Sequence, residues 1–140
     1  MNYFKDIIPT DSYFKKYIEI DLQNPNFEPL IQAAASITNG ALTLDRYSCL
    51  PKAGCFELDL LINGKQVMIW VDGDHLFIFH KYKTKILNDI LRESDYEGGK
   101  AFYHEGGSFR DLTVAFIAEV QYEHLINAGL MYEEEVEMEV

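Results

Sequence analysis

Apolar and polar positions alternate most strictly over residues 56–71, Phe-Glu-Leu-Asp-Leu-Leu-Ile-Asn-Gly-Lys-Gln-Val-Met-Ile-Trp-Val. Two alternating runs meet at Asn63-Gly64, a dipeptide that accepts the two positive φ angles of a type I′ turn. A two-residue turn sets the register, with Ile62 opposite Lys65, Leu60 opposite Val67, Leu58 opposite Ile69 and Phe56 opposite Val71. Side chains alternate along a strand, so these share one face of the hairpin. Glu57, Asp59, Leu61, Gln66, Met68 and Trp70 share the other.

The flanking pattern predicts the remaining elements. Residues 3–8 form a short first element that Pro9 ends, and Thr10, Asp11 and Ser12 can cap a helical turn through residues 13–16. Residues 17–22 alternate as a half-buried strand, with Ile18, Ile20 and Leu22 inward. Phe27, Leu30, Ile31 and Ala34 recur at helical spacing over 27–38, with Pro29 tolerated in the first turn and Asn39-Gly40 as the stop. A short strand is expected at 41–47 and a loop at 48–55. Residues 75–80 read as a strand, because consecutive apolar residues suit a covered one; a helix from Asp74 onward is the alternative. Ile86, Leu87, Ile90 and Leu91 make one helical stripe over 84–93. Strands at 100–104 and 109–117 make a second hairpin through residues 105–108, and a helix at 118–128 stops at Gly129. Residues 131–140 are an acidic tail or a charged edge strand. The expectation is one α+β domain over 1–140: a mostly antiparallel sheet built on a central hairpin, with about three helices packed on it.

Composition narrows the setting. The chain has 140 residues, 48 % of them hydrophobic and 14 % aromatic, enough for a real core without disulfides or metals. No apolar run reaches the roughly 20 residues that cross a bilayer, and the first residues lack a secretory pattern, so a cytoplasmic location is expected. The net charge is −11, of which residues 71–140 carry −9. Such a charge repels nucleic-acid phosphates and anionic membranes, and it speeds encounter with a basic protein.

Catalytic signatures are weak. Asp72, Asp74 and His75 could ligate a divalent cation as part of a small metal-dependent hydrolase, yet Asp-Gly-Asp is also an ordinary turn and the remainder of a calcium loop is missing. His75, His80, His104 and His124 show no short-range pairing. Cys49 and Cys55 fit no zinc or redox spacing and are expected as reduced thiols, a disulfide across the loop between them being the alternative. The expectation is therefore a non-enzymatic chain without metal or cofactor. Two features suit binding: Trp70, Met68 and Leu61 beside Glu57 and Asp59 on the second hairpin face, unless a helix covers it, and the glutamates Glu133, Glu134, Glu135, Glu137 and Glu139 near the end. A subunit that oligomerises through the hairpin face is a further alternative, so monomer and homodimer both stay open.

A compact acidic α+β chain with such a hairpin, and with Ile86-Leu87-Asn88-Asp89-Ile90-Leu91 before a second one, resembles the small immunity proteins of bacterial toxin systems. The resemblance lies in layout. It implies an inhibitor that binds a cognate toxin, often a basic nuclease, and blocks its active site or substrate groove.

Overall fold

A computed structural model describes residues 8, 10–16, 18, 25–72, 80–104 and 112–129. The elements in chain order are β1 (Tyr13–Lys16), α1 (Glu28–Ser36), β2 (Leu44–Lys52), β3 (Cys55–Ile62), β4 (Lys65–Asp72), α2 (His80–Glu93), β5 (Lys100–His104), β6 (Leu112–Ala118) and α3 (Glu119–Asn127). The class is α+β, with the strands divided between two antiparallel three-stranded sheets, β1-β6-β5 and β2-β3-β4. The hairpin of residues 56–71 is β3–β4, and among the described strands it lies at one side of its sheet, with β3 in the middle and β4 at an edge.

The Asn63-Gly64 turn takes φ values of 52° and 79°, both positive as a type I′ turn requires. Ile62 pairs with Lys65, Leu60 with Val67, Leu58 with Ile69 and Phe56 with Val71. Asn63 also holds the turn to the preceding segment. Its Oδ1 accepts the Thr43 N–H at 2.8 Å, its Nδ2 donates to the Ala41 carbonyl at 2.8 Å, and the Gly64 N–H donates to Asp45 at 3.1 Å.

Two expected elements differ. Residues 48–52, expected as loop, continue β2 as far as Lys52, and a tight Ala53-Gly54 turn leads into β3. Pro51 sits within this strand because β2 is an edge, where a missing N–H can point away from the ladder. Residues 13–16, expected as a helical turn, form β1 after a 3₁₀ turn at Thr10–Ser12, because they pair with β6 from Tyr13–Ala115 to Lys16–Leu112. Of the strand expected at 17–22 only Ile18 is described, and it is buried. The expected strand at 75–80 lies outside the described residues except His80, which begins α2. The 105–108 connection and residues 131–140 also lie outside them.

One buried cluster joins the inward residues of β3 and β4 to α1, α2, Phe102, Val114 and Phe116. A second, holding Ile8, Ala115, Ile117 and Leu125, fills the opposite side of β6. Helix α2 reaches both sheets, touching β4 and β5. Its end takes Asp95 at φ 62°, Tyr96 N–H bonds back to Leu91 at 3.2 Å, and Asp95 pairs with Lys65 at the hairpin tip. Among the described residues no helix is long and apolar enough to cross a membrane.

Candidate functional site

The register of the β2-β3-β4 sheet lays its outward side chains in cross-strand rows. Leu50, Glu57 and Trp70 form one row, and Ser48, Asp59 and Met68 the next. Arg46, Leu61 and Gln66 follow toward the Asn63-Gly64 turn, while Lys52, Cys55 and Asp72 close the far end. Among the described residues no helix seals this side. Trp70 is 56 % exposed, Leu50 48 % and Met68 47 %. The inward residues Leu58, Leu60, Ile62, Val67, Ile69 and Val71 are buried, so the alternation divides β3 and β4 between core and solvent.

Glu57 and Asp59, both half-buried, stand between these apolar side chains on the middle strand. Asp59 accepts a hydrogen bond from Gln66 Nε2 at 3.1 Å. Glu57 makes no ion pair or hydrogen bond among the described residues. The face thus combines an open aromatic, a thioether, a leucine and a carboxylate without a partner among the described residues, which is the chemistry of a contact surface.

Glu57, Asp59, Met68 and Trp70 are therefore brought together. The glutamates Glu133, Glu134, Glu135, Glu137 and Glu139 lie outside the described residues. Asp72 ends β4, with Asp74 and His75 outside the described residues, so the metal alternative acquires no geometry. Among the described residues no group of three His, Cys, Asp or Glu side chains could hold a metal ion. Cys49 and Cys55 are free thiols. Burial pushes the Cys49 thiol up, against the direction a thiolate nucleophile needs.

A concave region lies between α2, β5 and α3. It is an open cleft of about 360 Å³ lined by Thr84, Lys85, Asn88, Asp89, Tyr103 and Tyr122 among others. Tyr103 and Tyr122 stack at 4.1 Å between ring centroids, and Tyr103 is raised by burial and then by Glu119 and Glu123. Its polar groups serve the fold. Asn88 donates to the Phe102 carbonyl at 2.9 Å and accepts the Phe102 N–H at 2.8 Å, so it satisfies the outer edge of β5. Asp89 pairs with Lys85 at 2.7 Å and Arg92 at 3.1 Å. Sequence reasoning missed Asn88, and also Tyr47, whose hydroxyl accepts the Phe27 N–H at the start of α1 at 2.9 Å. Neither carries a motif; an isolated polar residue gives no sign of a distant partner.

Comparison with protein-family models, with curated proteins and with solved structures finds no match to this chain.

Proposed function

We propose that this chain is a non-enzymatic binding protein that inhibits a basic protein partner, in the manner of an immunity protein acting on a toxin. The observation that carries the reading is the uncovered face of the β2-β3-β4 sheet, where Trp70, Met68 and Leu50 surround Glu57 and Asp59. A monomer gains nothing in stability by leaving a tryptophan and a methionine in water, whereas a contact surface uses both as anchors. The net charge of −11 favours a cationic partner and raises the encounter rate without specifying the final pose.

Function then divides between long-range attraction, supplied by the carboxylates, and residence, supplied by the apolar side chains. The direct test measures binding to the protein encoded by the adjoining reading frame. A one-to-one complex is expected, with association slowing about tenfold between roughly 50 and 300 mM salt. Trp70→Ala is expected to speed dissociation at least about tenfold, the loss of one interfacial anchor. Absence of a complex, or a complex indifferent to both salt and Trp70, removes the reading. A chain that instead dimerises through this face, with Trp70→Ala restoring the monomer, returns it to the oligomerising class.

A further inference from the structure

We infer that Glu57 and Trp70 together form a receptor for an arginine side chain of the partner. The guanidinium would lie on the indole ring while its edge donates to the Glu57 carboxylate. This inference rests on the reading of the outward face as a docking surface and adds the group that the face recognises.

Glu57 and Trp70 are direct cross-strand partners. Counted from the two-residue turn that joins Ile62 to Lys65, theirs is a non-hydrogen-bonded pair. Opposite side chains come closest in such pairs, with Cα atoms about 4.5 Å apart. Trp70 is 56 % exposed, and among the described residues neither a ring nor a cation packs on its indole. Its neighbour across the ladder is a half-buried carboxylate that likewise has no partner among them. An aromatic face and a carboxylate side by side attract the same kind of group, because the ring quadrupole and the anion both favour a cation.

The surroundings set the sign and shape of that cation. The outward positions of β3 and β4 hold Glu57, Asp59 and Asp72 and no lysine or arginine; the cations of this face, Arg46 and Lys52, stand on β2, beyond the middle strand. Asp59 is engaged by Gln66, which leaves Glu57 as the open acceptor of the middle strand. Leu50 and Met68 flank the pair and would shield a bound group from water, strengthening a charge-assisted bond. Arginine fits better than lysine. Its planar cation stacks on an indole and still presents a fork of N–H donors at its rim, whereas an ammonium is compact and holds its water more tightly.

Trp70 is the only tryptophan in the chain, so its emission reports on this site alone. The experiment titrates the intact chain with the peptide acetyl-Gly-Arg-Gly-Arg-Gly-amide, with its citrulline counterpart, and with its lysine counterpart. The arginine peptide is expected to change Trp70 emission saturably, with a dissociation constant on the order of 1 mM, as one exposed cation–π and carboxylate contact allows. Citrulline, which keeps the shape and loses the charge, should bind at least about fivefold more weakly, and lysine in between. Glu57→Gln should weaken the arginine peptide about fivefold, while Glu97→Gln, which alters net charge equally at an exposed site, should leave it unchanged. Equal responses to arginine and citrulline would overturn the receptor and indicate a purely apolar surface. Equal weakening by the two glutamate variants would overturn it in favour of bulk attraction. If the titration fails while the partner complex forms, the receptor falls and the docking face stands. If the titration succeeds while no partner complex forms, the receptor stands and the inhibitor reading falls.

Discussion

The two sheets solve the same folding problem to different degrees. In β1-β6-β5 the middle strand is buried on both sides: Val114 and Phe116 enter the main core, and Ala115 and Ile117 pack with Ile8 and Leu125 beneath α3. Its β5 edge is closed as well, by the Asn88 amide bonded to both backbone groups of Phe102. In β2-β3-β4 the described residues close only one side, and Trp70, Met68 and Leu50 are exposed on the other. One apolar face is enough to fold an antiparallel sheet, so the second face is free of packing constraints. Large apolar groups kept there cost solubility and add little stability, which marks them as candidates for work outside the fold.

Phe102 carries the largest difference between the two sheets. This side chain is buried between α2 and the doubly covered sheet, with its ring 4.9 Å from Phe116. Phe102→Ala should cost about 3–5 kcal/mol, the usual range for an emptied aromatic site in a core. Urea denaturation checks this. A loss below about 1 kcal/mol would mean that the β1-β6-β5 sheet is no better packed than its neighbour.

Asn88→Ala sharpens the contrast between the edges. It removes two hydrogen bonds to Phe102 and leaves half-buried backbone groups without their partner, a loss of about 2 kcal/mol. Hydrogen exchange at the Phe102 amide should quicken by more than global destabilisation accounts for. Protection unchanged relative to the rest of β5 would show that the amide clamp does not secure this edge.

These two sheets were legible to different extents. The β3–β4 register followed from Asn63-Gly64 and strict alternation, because a hairpin is a local object. The division into two sheets was not legible, since β1 pairs with β6 from the other end of the chain. The same pairing overrode the helical signal of Thr10, Asp11 and Ser12. Pro51 and Ser48 disguised β2 as a loop, although an edge strand tolerates both. For the candidate site, alternation put Glu57, Asp59, Met68 and Trp70 on one face, while the exposure of Trp70 and Met68, with no helix over them among the described residues, is a tertiary fact that no local pattern encodes. Asn88 and Tyr47 join elements distant in sequence through single polar groups, which a periodicity cannot signal.

Tyr47 tests how firmly the covered side of β2-β3-β4 is attached to α1. Its hydroxyl accepts the Phe27 N–H, and burial, the largest influence, pushes its phenol from 10.0 up to about 12. An unfolded chain therefore releases this proton before the folded one does. The stability gained by keeping the phenol neutral is full below pH 10 and is lost as pH rises from 10 toward 12. Tyr47→Phe should cost about 1 kcal/mol near neutral pH and remove that part of the alkaline loss. A variant whose stability between those pH values falls as steeply as the parent's would locate the alkaline transition elsewhere.

The smallest expected change in stability is at Trp70, and it carries the most information. Replacing an aromatic on a closed sheet opens a cavity, whereas Trp70 is already more than half exposed. Trp70→Ala should therefore change unfolding free energy by only about 0.5 kcal/mol, chiefly through lost cross-strand contact with Glu57 and reduced strand preference. Met68→Ala should behave alike, because Met68 is also nearly half exposed. If either substitution costs more than about 2 kcal/mol, the outward face is packed in solution and the asymmetry between the sheets disappears. If both are nearly neutral for folding while Trp70→Ala speeds partner dissociation at least about tenfold, stability and binding have been separated onto opposite faces of the same three strands. Such a separation would explain why the sheet keeps a tryptophan where its own folding does not need one.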